Sequence, residues 1–176
     1  MEAAVGEGLD AVIVNPTYMF GPYDSRPSSG KMIVELVQGK IPGLSSGFNN
    51  FVDVRDVARG MLLAAEKGRR GERYILGGED MSYEAAFTRI AAVAGVKPPR
   101  VRLPKWAARV FGWAGDVHET MTTAEPLLNS VTVNYGYCDT FRFSSAKAER
   151  ELGYTHAPME QAVADAIAWF RKTGML

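Results

Sequence analysis

The sequence predicts an α/β fold: a parallel sheet with helices packed on it, joined to a smaller, mostly helical lobe. Three features predict it. Ala11-Val-Ile-Val14 is a short unbroken apolar run closed by Asn15-Pro16. Such runs read as strands buried on both faces, and most of those lie in parallel sheets. Residues 53–95 then read helix, strand, helix, the alternation of a sheet with helices against it. At Val96-Lys-Pro98-Pro99 the composition shifts, and the segments beyond read mostly as helices. The division is placed at residue 95. Residues 1–95 form the sheet-bearing part, and 96–176 form the lobe with helices that return at the C-terminus.

In chain order, residues 2–7 read as the last turns of a helix stopped by Gly8. A chain that opens on a helix end feeding a buried strand predicts further sequence upstream. Pro16 cannot donate to a ladder and is expected to end the strand. Thr17 to Pro22 then leave a strand's carboxyl end, where open α/β sheets bind ligands. After a polar, turn-rich loop, Ser28 or Ser29 caps a helix with Met32, Ile33, Leu36 and Val37 on one face, stopped at Gly39. Phe48 to Val52 is a short strand. Asp53 caps a helix whose positions Val54, Val57, Ala58, Met61, Leu62 and Ala65 follow i, i+3, i+4 spacing, with Arg55 and Asp56 on an exposed first turn. Arg73 to Leu76 is a buried strand cut by Gly77-Gly78. Ser82 caps a helix that turns Ala86, Phe87, Ile90 and Ala91 inward and ends at Gly95.

In the lobe, Val101 to Leu103 reads as a short strand, and Pro104 takes the first position of a helix that runs to about His118. Its apolar stripe is Trp106, Val110, Trp113 and Val117, opposite Lys105 and Arg109. That stripe suits packing against the main body; a basic helix with tryptophans lying on a membrane is the alternative. Residues 119–137 carry no legible pattern. Phe141 to Phe143 reads as a strand, and Ser144 or Ser145 caps a helix ending at Leu152-Gly153. Pro158 opens a last helix with Ala162, Val163, Ala166, Ile167 and Phe170 inward.

Composition narrows the function. At 176 residues with formal net charge zero, the chain offers no basic face for nucleic acid. One cysteine, Cys138, excludes an internal disulfide and suits a reducing cytoplasm. No apolar run is long enough to span a bilayer, so no membrane partner is expected. Two histidines, His118 and His156, lack ligand spacing, so no metal is expected. A His118-Glu119 and Cys138 nucleophile pair is a weak pattern, and no Gly-x-Ser-x-Gly elbow is present. A dinucleotide fold needs a glycine-rich turn between a strand and a helix. Gly68-x-x-Gly71 and Gly112-x-x-Gly115 match it only in part, and no tyrosine has a lysine four residues on.

Four motifs nevertheless stand in a familiar order. They are Asn15-Pro-Thr-Tyr-Met-Phe-Gly-Pro22, Asn50-Phe-Val-Asp-Val-Arg-Asp-Val-Ala58, Gly71-Glu-Arg-Tyr-Ile-Leu-Gly-Gly78 and Phe143-Ser-Ser-Ala-Lys-Ala-Glu-Arg-Glu-Leu-Gly153. In this order they resemble the C-terminal half of extended short-chain dehydrogenases/reductases, the NAD-dependent epimerase/dehydratase family, and within it the dihydroflavonol-4-reductase-like branch. The resemblance implies a partial Rossmann-type sheet with a substrate lobe. It implies an NAD or NADP site that is incomplete here, because the family's glycine-rich turn and catalytic Tyr-x-x-x-Lys lie before the matched region. No catalytic residue is therefore assigned to this chain. It places Pro16, Thr17, Tyr18 and Met19 against the nicotinamide, adds Ser28 or Ser29 as a cofactor contact, and sets Phe20 beside the substrate.

Two departures bear on the substrate. Asn15 stands where the family usually has arginine before the loop proline. Asn49 stands where nucleotide-sugar epimerases often hold a diphosphate with arginine. An amide lacks the guanidinium fork, which favours a small aldehyde, ketone or polyol-like substrate over a nucleotide sugar. The leading expectation is the C-terminal portion of an NAD(P)-dependent reductase or epimerase. The alternatives are a nucleotide-sugar epimerase/dehydratase and a non-catalytic cofactor-sensing or scaffold protein of the same fold. A homodimer through an exposed sheet edge is compatible with any of them.

Overall fold

The computed structural model of the chain describes residues 6–121 and 129–176, without the side chains of 118–121. The expected helix at 2–7 falls mostly on residues 1–5, and the unpatterned stretch 119–137 falls partly on 122–128; both segments lie outside the described residues.

Strand β1 is Ile13–Pro16, two residues later than its apolar run suggests. It pairs in parallel with β4, Arg73–Leu76, in a register that runs from Ile13 opposite Arg73 to Pro16 opposite Leu76. Pro16 extends the ladder rather than ending it. At the ends of the ladder the Ile13 amide lies 3.0 Å from the Glu72 carbonyl and the Thr17 amide 3.4 Å from the Leu76 carbonyl. In the two-residue rhythm of a strand, position 16 faces away from β4, so its missing N–H costs no bond there. The strand is half-buried at Ile13 and Val14 and exposed at Asn15 and Pro16, not buried throughout. Among the described residues β4 is its only strand neighbour.

A second sheet is ordered β2-β3-β5, with β2 Tyr18–Phe20, β3 Phe48–Asp53 and β5 Glu79–Ser82. β2 and β3 are parallel, with Tyr18 opposite Phe51 and Phe20 opposite Asp53. The sequence pattern missed β5, whose Glu79-Asp-Met-Ser82 lacks the apolar alternation of a strand. The strands expected at 101–103 and 141–143 do not form. Arg102 makes a single bridge to Leu44, and 141–143 is irregular.

The helices are α1 Lys31–Val37, α2 Val54–Lys67, α3 Tyr83–Ala94, α4 Lys105–Met121, α5 Ser130–Gly136, α6 Ala146–Leu152 and α7 Met159–Lys172. Asp53 caps α2 by accepting from the Arg55 amide, and Ser82 caps α3 by accepting from the Ala85 amide, as read from the sequence. The buried face of α2 differs from the reading. It is Asp56, Val57, Gly60 and Ala64, while Met61 and Leu62 are exposed. Small residues win because β4 packs close: a Cβ on Gly60 would lie 2.8 Å from a Leu76 methyl. Asp56, expected on the surface, is buried because its carboxylate accepts from the Ala157 amide at 2.8 Å. Helix α7 buries Ala162, Val163, Ala166, Ile167 and Phe170, the face the sequence indicated.

Two compact units interleave in sequence, whereas the division at residue 95 follows chain order. One comprises residues 1–34, 50–80 and 143–176; the other comprises 35–49 and 81–142. The first has a core of Val52, Val57, Ala64, Tyr74, Leu76, Ala148, Leu152 and Tyr154. The second holds α3, α4 and α5. There α4 turns inward its small residues Ala108 and Gly112, not the stripe expected to pack. A Cβ on Gly112 would lie 3.1 Å from a Val133 methyl and 3.2 Å from Asn129 backbone, so α4 lies tight against α5. Trp106, Val110 and Trp113 are left exposed.

Candidate functional site

Because β1 and β4 run parallel and end together at Pro16 and Leu76, the residues after both leave from the same sheet edge. Thr17 follows one strand and Gly77-Gly78 follows the other. Their junction is held by Asn50, which is fully buried on β3. The Thr17 hydroxyl donates to Asn50 Oδ1 at 2.7 Å, and the Gly78 amide donates to the same oxygen at 2.8 Å. Asn50 Nδ2 donates to Asp80 Oδ1 at 2.6 Å and to the Gly78 carbonyl at 3.2 Å, with the Phe143 carbonyl at 3.4 Å. Asp80 Oδ1 also accepts from the Phe143 amide at 3.2 Å. Gly77 has no room for a side chain: a Cβ would meet Asn50 Oδ1 at 2.6 Å and Thr17 Cγ2 at 3.1 Å.

The loop beyond Thr17 is pinned from a second side. The Ser29 hydroxyl donates to the Met19 carbonyl instead of capping α1. Asp24 accepts from the amides of Ser28 at 3.3 Å and Gly30 at 3.1 Å. Tyr18, Phe20 and Phe51 form an aromatic cluster in which Phe20 stacks on Phe51 at 5.5 Å between centroids and 11° between planes. The structure therefore gathers Pro16, Thr17, Tyr18, Met19 and Ser29 into one braced segment. Pro16 and Ser28 are exposed, and Thr17, Tyr18 and Met19 are half-buried. Phe20 is 1% exposed, inside the packing. Asn49 is buried and donates to the Tyr83 hydroxyl at 3.1 Å.

Sequence reasoning missed Asn50, Ser145 and Tyr154. Ser145 sits at the α6 cap position, but its hydroxyl accepts from the Gly77 amide at 2.9 Å and donates to the Gly77 carbonyl at 3.2 Å. Tyr154 donates to that carbonyl at 3.0 Å. The one available signal was the pair Asn49-Asn50 inside an apolar strand, since a buried amide demands partners.

Two electrostatic features frame the segment. Burial pushes the Asp53 carboxyl up, but the side-chain and backbone bonds from Arg55 outweigh it and hold the group below its usual range. The Arg55 guanidinium is raised, first by Asp53 and also by Asp165, 2.7 Å away. Burial pushes the Tyr154 hydroxyl up to about 12, and burial raises Tyr83 too. The folded state holds these protons after the unfolded chain, with tyrosine near 10, has released its own. The stability Tyr154 contributes is therefore complete below pH 10 and lost as pH rises toward 12, and Tyr83 acts in the same direction. Tyr154→Phe should lose about 1 kcal/mol at neutral pH with the Gly77 bond. It should also flatten the decline in denaturation midpoint between pH 9.5 and 12 relative to the parent, which Tyr154 steepens by up to about 2 kcal/mol.

The arrangement suits one end of a dinucleotide. An exposed proline ring and a half-buried, doubly pinned backbone at a parallel sheet's carboxyl edge can wall a flat heteroaromatic ring. Nothing among the described residues forms a glycine-rich turn opening a helix after a strand, so the phosphate end of such a ligand has no cradle here. Residues 1–77 match the NAD dependent epimerase/dehydratase family. Over this stretch the chain carries that family's domain. It is 32% identical to a putative dihydroflavonol 4-reductase of Synechocystis over 176 residues, which cover 97% of this chain and 51% of that protein. Among solved structures it resembles gox2253 at 37% identity and TM-score 0.78, covering 99% of this chain and 54% of that one. It also resembles PA4631, described as a nucleoside-diphosphate-sugar epimerase from Pseudomonas aeruginosa, at 27% identity and TM-score 0.79, covering 99% and 52%. The chain thus spans about half the length of the curated relatives it matches. The family's fold accounts for the parallel pairs β1-β4 and β2-β3 with helices against them, a partial Rossmann-type sheet. No helix among the described residues is long and apolar enough to cross a membrane.

Proposed function

We propose that this chain forms the nicotinamide-side wall of an NAD(P)-dependent reductase or epimerase acting on a carbonyl or alcohol carbon of a small substrate. Residues 1–95 belong to its dinucleotide-binding domain and 96–176 to its substrate lobe, with C-terminal helices that return to pack in the unit of the first strands. The observation that carries the reading is the Asn50 junction, which fixes Thr17 and Gly78 at the shared carboxyl edge of β1 and β4. Pro16 and the backbone of Thr17, Tyr18 and Met19 pack on the ring, and Ser29 orients the Met19 carbonyl. Ser28, exposed beside it, is a second polar contact, and Phe20 supports the wall from beneath. The nicotinamide, when bound, supplies or accepts the hydride. Proton transfer belongs to family residues outside this chain, so the chain's own share is binding and orientation.

The test is fluorescence titration of NADH and NADPH against a chain extended upstream to the length of its relatives. Binding of at least one cofactor, weakened several-fold by Ser29→Ala, supports the reading. Binding of neither overturns it.

A nucleotide-sugar substrate is a second reading, favoured by the likeness to PA4631. Against it, the Asn49 amide is buried on Tyr83 and offers no fork for a diphosphate. Uridine diphosphate that competes with substrate in the extended enzyme would decide for it.

A further inference from the structure

Helix α4 is built inside out. Its buried line is small, and it exposes a line that is large and apolar: Trp106 is 72% exposed, Val110 58% and Trp113 67%. Trp106, Val110 and Trp113 follow 4-3 spacing, which places them on one stripe. Patches of this kind on a soluble surface mark an interaction site. The charge around the stripe indicates with what. Residues 96–115 contain Lys97, Arg100, Arg102, Lys105 and Arg109 and no acidic residue, in a chain whose net charge is zero. Arg102 is paired with Glu84 at 3.0 Å. Lys97, Arg100, Lys105 and Arg109 are exposed and have no acidic partner among the described residues. Arg109 and Lys105 sit one and two turns before Trp113, so cations border the tryptophans along the helix.

We propose that α4 lies in the headgroup layer of an anionic lipid bilayer, with Trp106, Val110 and Trp113 inserted and Lys97, Arg100, Lys105 and Arg109 on lipid phosphates. The interfacial layer favours tryptophan, whose ring is apolar and whose indole N–H still finds a partner. A helix with a basic flank and an apolar face sits in that plane without spanning it. A second copy of the chain is a poorer occupant, because two such faces would bring like charges together. The inference is independent of the nicotinamide reading.

Vesicle co-sedimentation tests it, with phosphatidylcholine vesicles compared with vesicles containing phosphatidylglycerol. The protein should pellet with the anionic vesicles only, release as salt rises, and shift its tryptophan emission to the blue. The double substitution Trp106→Ser with Trp113→Ser should cut the bound fraction about tenfold. Lys105→Glu with Arg109→Glu should weaken binding to anionic vesicles roughly thirtyfold. All four side chains are exposed, so both variants should keep the parent's circular dichroism. No binding to either vesicle, or binding unchanged in both variants, overturns the proposal. So does a concentration-dependent dimer that the tryptophan variant abolishes and vesicles do not compete with.

Discussion

Asn50→Ala should lower the unfolding free energy by about 3 kcal/mol, an effect out of proportion to an amide's size. The side chain contributes little apolar area. Its oxygen serves two donors, the Thr17 hydroxyl and the Gly78 amide, and its nitrogen serves Asp80 and Gly78. Truncation takes the shared partner from groups gathered around a fully buried side chain, and each group left unpaired costs roughly 1–3 kcal/mol. Urea unfolding checks this: the midpoint should fall with the slope unchanged, the mark of lost stability rather than an altered denatured state. Asn50→Asp should rescue nothing. It keeps the acceptor but sets a carboxylate 2.6 Å from Asp80 in place of a donor. A midpoint within about 0.5 kcal/mol of the parent would show that the junction is not what holds the loop.

The sequence made the helices legible and their faces less so. Caps are local: Asp53 and Ser82 each serve an amide within three residues, so the side-chain type announces them. Which face of α2 is buried depends on β4, and Gly60 is inward because Leu76 and Tyr154 leave no space for a side chain there. The same holds for α4, where close approach to α5 selects Ala108 and Gly112 over the tryptophans. Hydrophobic spacing finds a helix but ranks large residues inward, and here backbone proximity outranks size. At the candidate site, the segment from Pro16 to Met19 was visible as a strand exit with turn chemistry. Its braces are not, because Asn50 and Ser29 reach it, and Ser145 and Tyr154 reach the neighbouring Gly77, across separations of 10 to 77 residues. By position, Ser28 or Ser29 and Ser144 or Ser145 suit helix caps, and Ser29 and Ser145 are the ones whose hydroxyls point elsewhere. Both hydroxyls instead bond backbone of another element, a choice that only the tertiary structure sets.

Gly78→Ala should be the more damaging change at the junction, at more than about 3 kcal/mol. The added methyl meets backbone, not a movable side chain: the Phe51 carbonyl oxygen, and Val52 Cα at 3.1 Å. Both residues are 1% exposed on β3, which is held between β2 and β5, so the strand has nowhere to withdraw. Gly95→Ala is the informative comparison. No atom lies within 4 Å of a Cβ there, but the backbone sits at φ +72°, so only the left-handed conformation is penalised, at about 1 kcal/mol. The gap between the two variants measures contact against conformation. Pairing each with Asn50→Ala then separates shared from independent causes. Gly78→Ala pushes apart the groups that Asn50 joins, so the double variant should fall short of the summed losses by about 1 kcal/mol or more. Gly95→Ala shares no partner with Asn50, and its losses should add within about 0.5 kcal/mol. Full additivity in both pairs would mean that Gly78 is required only for its own packing and that Asn50 does not act through it.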